Sequence, residues 1–269
     1  MRRDKHLKLL APKTEKIVYL SAVRDMSAML RIIVLLPLLV FFISPDRGMS
    51  QTSEGGQAIE VWPEFTVNYD PSKKVRLMFA IRNERNEDTP DKTVETTATV
   101  IYRLRPLVRN MLFADDEADN EKKYALSLAA NWEYSRSFGK TLRNENRLMF
   151  DATPRYRIYG NILVENRLRL EFRFRDDGQR DYWFRDRVRA EKKFKIHNFR
   201  FAPFAYVEPM WTWQANAWNR NLLSAGTQIA LVRNRARLDI SYLRKNCDTC
   251  DFADANAIGV NLQLFFGKK

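Results

Sequence analysis

From about residue 59 to its end, the chain alternates apolar side chains with charged or polar ones, residue by residue. The stretch from 162 to 175 is the clearest case. Ile162, Val164, Leu168, Leu170, Phe172 and Phe174 share one parity, interrupted only by Asn166, and Glu165, Arg167, Arg169, Glu171, Arg173 and Arg175 share the other. Successive side chains on a strand point to opposite faces, so this segment carries an oily face and an ionic face. A soluble sheet can use such a pattern once or twice. About eleven strand-like repeats of it call for a covering of the oily faces that is itself extensive, and lipid around a β-barrel supplies one.

The basic balance narrows the partners. Lys and Arg number 46 against 33 Asp and Glu, a formal charge of +13. Such an excess suits nucleic acid or anionic lipid. Here the arginines fall on one strand parity rather than on a helix or a tail, which directs them to the ionic face, and an export signal argues against nucleic acid. No run of about 20 apolar residues exists, so no helix of bilayer-spanning length is expected.

The longest apolar run, residues 32–43, follows Arg31, holds Pro37 and precedes Ser44-Pro45-Asp46. It has the length of a signal-peptide apolar region. Gly48-Met49-Ser50 offers small residues for cleavage before Gln51, and Met26 and Met29 stand as alternative starts. Residues 1–50 are therefore expected to be an N-terminal extension plus signal peptide, 51–58 a flexible lead, and 59–269 one barrel domain. Residues 1–50 hold 9 of the basic and 4 of the acidic side chains, leaving 37 and 29, formally +8.

Strand-like segments are bounded by turn chemistry such as Asp70-Pro71-Ser72, Gly160-Asn161 and Asp176-Asp177-Gly178-Gln179. Chain ends on one side of a membrane demand an even number of strands, so twelve are expected, or ten. The extra strand would come from 107–113, or from a break at Pro154, since proline removes a ladder donor. Tyr69, Tyr102, Tyr124, Tyr134, Trp211, Trp213, Trp218 and Tyr242 fall near strand ends, where amphipathic rings meet the headgroup level. The alternative is a soluble β-sandwich whose oily faces cover one another, acting as a periplasmic binding module.

The ionic parity carries the chemistry. Arg167, Arg169, Glu171 and Arg173 on one strand stand beside Arg185, Arg187, Arg189 and Glu191 on the next, and Arg237 and Asp239 repeat the pattern near the end. Paired ions can fill a narrow lumen, or surplus arginines can line a channel for small anionic solutes. Catalysis is not expected. A barrel hydrolase needs a serine beside a histidine base, and the region after 50 holds only His197, with no serine near it in sequence. No phosphate loop, metal-spaced ligand set or cofactor motif is present. Cys247 and Cys250 sit in one polar loop and are expected to form a small disulfide.

The segments Glu165–Glu171, Phe184–Glu191, Pro203–Glu208, Trp218–Asn221 and Arg237–Leu243 together resemble a bacterial family classed as domain of unknown function 2490, regarded as outer-membrane β-barrels. The resemblance covers roughly 59–266. It implies a barrel and a place in the outer membrane; with the strand reading above, the expected fold is an all-β transmembrane antiparallel barrel of 10–12 strands in a Gram-negative cell, with outer-membrane lipid and the barrel assembly machinery as partners. It implies no reaction. One departure concerns the last strand, where Gly267-Lys268-Lys269 follow the expected terminal aromatic, Phe266.

Overall fold

A computed structural model describes residues 59–85, 91–104, 120–138, 143–158, 162–197, 199–232, 235–247 and 255–267. The expected export signal and lead at 1–58, the stretch 107–113 and Cys250 lie outside them. The strands are β1 (Ile59–Asp70), β2 (Val75–Arg85), β3 (Lys92–Leu104), β4 (Leu126–Phe138), β5 (Asn144–Ile158), β6 (Ile162–Arg175), β7 (Arg180–Lys192), β8 (Phe194–Ile196), β9 (Phe199–Thr212), β10 (Ala217–Val232), β11 (Ala236–Cys247) and β12 (Ala255–Gly267). A 3-10 turn, Asn120–Lys123, precedes β4.

These strands form one closed sheet, so the two-layered sandwich is excluded. Each strand pairs with its sequence neighbour, β9 joins β10, and β12 returns to β1. The short β8 continues β7: Glu191 lies opposite Phe204 and Phe194 opposite Phe201, one unchanged register against β9, with Lys193 between the two strands. The ring therefore has eleven staves.

That count corrects the even number expected from the sequence. β1 and β12 run parallel through twelve residue pairs, from Ile59 opposite Asn256 to Asp70 opposite Gly267. A ring of alternating directions with an odd number of members must contain one parallel pair, and the seam is that pair. Ile59 and Gly267 consequently lie at opposite rims. A twelfth stave is not needed, because a closed ring has no free edge to extend. Nor does Pro154 split a strand. β5 passes through it in constant register against β6, from Ala152 opposite Leu168 to Arg155 opposite Glu165, and only the rungs at Thr153 and Pro154 are missing. The lost proline donor interrupts the ladder without ending the strand.

The barrel is inside-out relative to a soluble protein. Arg103, Arg173, Glu171 and Glu208 face inward and are at most 1% exposed, whereas Val100, Trp132 and Phe150 on the outer face are 52%, 49% and 46% exposed. The outer surface carries exposed rings near both rims. Tyr69, Tyr102 and Tyr156 stand near one, and Tyr182, Trp213 and Trp218 near the other.

Gly267 ends the seam at a φ of +104°, where a Cβ would come within 2.2 Å of the Asp70 carbonyl oxygen. This explains why a glycine follows the terminal aromatic. Gly267→Val is expected to lower folding stability by about 1–3 kcal/mol, read as a shift of the urea midpoint for the protein folded into detergent micelles. An unchanged midpoint would remove the steric account of the seam.

Candidate functional site

Period two sends the ionic parity of every strand inward, and the pairing registers decide which charges meet. On β6 and β7 they bring like charges together. Arg167 lies directly opposite Arg187, and Arg169 opposite Arg185. Like charges in direct cross-strand register repel, so these guanidiniums need counter-ions from elsewhere.

Glu208, on the adjoining strand β9, is the main one. Its Oε1 accepts from Arg167 Nη2 at 3.0 Å and Arg185 Nε at 2.6 Å, and its Oε2 accepts from Arg187 Nε. The carboxylate is completely buried. Arg169 turns instead to Asp151 on β5 in a two-pronged pair of 2.7 and 2.8 Å. Arg189 reaches Glu191 at 3.0 Å. Arg187 and Arg189 also lie over the rings of Tyr206 and Phe204, at 4.3 and 4.1 Å, contacts that stabilise a desolvated cation.

A second network fills the lumen beside the first. Arg147 is bonded to Glu95 at 3.2 Å, to Glu133 at 3.0 Å and to Glu145. Arg173 meets Glu145 at 2.6 and 3.0 Å and lies 4.1 Å over Trp183. Near the rim where β1 ends, Asp70 binds Arg76 at 2.9 Å and Arg103 at 2.5 Å. From the 3-10 turn before β4, Lys122 enters the lumen and donates to Glu191 at 2.5 Å and Gln228 at 2.8 Å.

Between these networks lies a cavity of about 300 Å³. Of the lumen residues expected from the sequence, Arg167, Arg169, Arg185, Arg187, Arg189 and Asp239 line it. Glu171, Arg173 and Glu191 are instead buried within the ion networks. Arg237 pairs with Asp239 at 3.1 Å, and Gln228 and Gln263 also donate to Asp239. Among the described side chains that line the cavity, eight are cationic and four are anionic: Arg82, Arg147, Arg167, Arg169, Arg185, Arg187, Arg189 and Lys245 against Glu64, Glu84, Glu133 and Asp239. The arrangement can attract and hold an anion.

Sequence reasoning did not single out Glu208, Asp151 or Lys122. The parity of Glu145, Arg147 and Asp151 on β5 matches that of β6 and signals a third ionic strand. Glu208 shares its parity with Tyr206 and Met210, so its strand looked aromatic rather than ionic. Nothing in the pattern announces Lys122. Cys247 is disulfide-bonded, and no cysteine is free among the described residues. Residues grouped for a metal ion, three or more of His, Cys, Asp and Glu, are absent among the described residues.

Residues 121–254 match the family model described as a protein of unknown function, DUF2490. This region of the chain belongs to that family. The DUF2490 region runs from the 3-10 turn through β11 and contains Glu208 together with the five arginines of the β6–β7 wall. No curated protein matches the chain.

Glu208→Gln leaves three guanidiniums without their shared counter-ion. Breaking a buried pair by removing one partner costs about 3–5 kcal/mol. Asp177, which meets Arg143 at 3.0 Å on a turn and is 42% exposed, serves as the control, and Asp177→Asn is expected to change stability by less than about 0.5 kcal/mol. Urea midpoints of the two variants in micelles test the difference. Equal midpoints would mean that Glu208 does not hold the arginine wall.

Proposed function

We propose that this protein is a bacterial outer-membrane barrel whose lumen is a narrow, arginine-lined conduit for small anionic solutes. The observation that carries the reading is the arginine wall: five guanidiniums on β6 and β7 face one cavity, with eight cationic side chains against four anionic around it. A pore lined by surplus arginine favours anions by electrostatic attraction.

The membrane setting is supported by the inverted distribution of side chains. An apolar outer face with aromatic rings near both rims and an ionic interior is the pattern of a barrel solvated by lipid. In this reading residues 1–50 serve export, the assembly machinery inserts the barrel, and outer-membrane lipid is its permanent partner. The role is not catalytic. His197 occupies the turn after β8 with a φ of 53° and does not line the cavity. No cofactor is called for.

A purely structural, filled barrel is the second reading. The dense networks around Glu145 and Glu208, with Lys122 reaching into the lumen, favour it.

Heat-modifiable migration on a gel tests the membrane barrel itself, because a folded barrel migrates differently before boiling. Conductance across a planar bilayer under a salt gradient tests the conduit. A reversal potential on the anion-selective side is expected, reduced in Arg187→Glu, and Lys122→Ala is expected to raise the conductance. A stably inserted protein that carries no current in any variant would leave the filled barrel standing in its place.

A further inference from the structure

The cavity is not ionic throughout. Its β6–β7 wall is guanidinium, whereas Trp62 on β1, Leu222 on β10, Leu243 on β11, and Gly259 and Val260 on β12 also line it. In the ring order β6 stands five staves from β1 in one direction and six in the other, so Trp62 faces the arginine wall, and Leu243 on β11 and Leu222 on β10 carry the apolar surface round from it toward β9, where Leu222 packs beside Met210. Trp62 and Leu222 are 5% and 4% exposed. A passage for inorganic ions alone gains nothing from an apolar wall, since a bare ion is better solvated by polar groups.

The arginine wall holds more donors than its carboxylates satisfy. Arg167 Nε and Arg189 Nε are buried without a hydrogen-bond partner among the described residues. Glu208 is shared by Arg167, Arg185 and Arg187, one carboxylate for three guanidiniums, and a second anion beside it lowers the repulsion that remains among them. On the far wall Glu64 accepts from Thr66 at 3.0 Å and Asn261 at 2.8 Å. Lys245 lies 4.7 Å over the Trp62 ring on that side, but its charge is met by Glu84 at 2.9 Å, so Glu64 disfavours an anionic group there and sets one orientation, head toward β6–β7 and body toward β1 and β12. A volume of about 300 Å³ is at the small end of ligand sites, about ten times the volume of one water.

We infer that the lumen holds a binding site for a small amphipathic organic anion, a carboxylate on an aromatic or branched apolar body. The head sits on Arg167, Arg187 and Arg189, and the body against Trp62, Leu222 and Leu243. The site rests on the reading of the lumen as anion-accepting and names its ligand class.

Titration calorimetry of the full barrel folded in micelles tests it, with benzoate, sulfate and benzyl alcohol as probes. Benzoate is expected to bind at least tenfold more tightly than either of the others. Arg187→Gln should weaken benzoate at least tenfold. Leu222→Ser should weaken benzoate at least threefold and leave sulfate unchanged. Sulfate or benzyl alcohol binding as tightly as benzoate overturns the inference, as does benzoate binding that neither variant alters. Gel migration confirms that each variant is folded, and if Arg187→Gln does not fold, the probe ranking and Leu222→Ser still decide. Conductance of the same preparations separates the two readings. Anion current without benzoate binding keeps the conduit and overturns the site, whereas benzoate binding without current keeps the site and removes the conduit.

Discussion

An ion taken out of water must find its counter-ion in the space it enters, or the cost reaches several kcal/mol. This barrel places its ions on the inside of a closed sheet, so the lumen works only if guanidiniums and carboxylates from different strands arrive together. Glu208 is the sharpest instance. It stands on β9 yet binds Arg167 on β6 across the intervening β7, where it also binds Arg185 and Arg187. Lys245 on β11 meets Glu84 on β2 at 2.9 Å, spanning β12 and β1 from within. Such pairs act as spokes. They tie staves that share no backbone ladder, and they make the arginine wall possible by supplying its counter-charge from neighbouring strands.

Closure sets the frame in which those spokes meet. A sheet with open edges leaves backbone donors and acceptors unpaired, and closing the sheet on itself removes those edges. Eleven staves satisfy this with one parallel seam, and side chains reinforce it from inside. Asn261 donates to Glu64 and Asn68 donates to the Leu264 carbonyl across β1 and β12. The seam also explains a local oddity of the chain, the glycine after the last aromatic, since only a residue without a Cβ fits beside Asp70 there.

The lumen that results holds both dense ion networks and a hollow. The hollow is bounded by cations on one side and by Trp62, Leu222 and Leu243 on another. That asymmetry separates it from the ion networks around Glu145 and Asp70, where each charge is absorbed by near neighbours. A solute small enough for the cavity meets a charged wall and an apolar wall at once, which is the condition for selecting an organic anion over an inorganic one.

Much of this was legible from period two alone. The alternation in 162–175 named the inward arginines, and the same parity on β7 and β11 named Arg185, Arg187, Arg189, Arg237 and Asp239. The parity argument for an even strand count failed because it assumed both chain ends at one rim, an assumption about closure rather than about any strand. Glu208 escaped because a lone acid in an aromatic strand carries no periodic signal.

Alternation thus determined by itself that the chain makes strands, that each has an oily and an ionic face, and which side chains share a face, because side-chain direction along a strand is a local property. Which strands become neighbours, how the ring closes, which carboxylate answers which arginine, and where a hollow survives were decided only by tertiary structure. Those outcomes depend on register between segments up to about two hundred residues apart, as in Ile59 opposite Asn256, and no local pattern encodes such a distance.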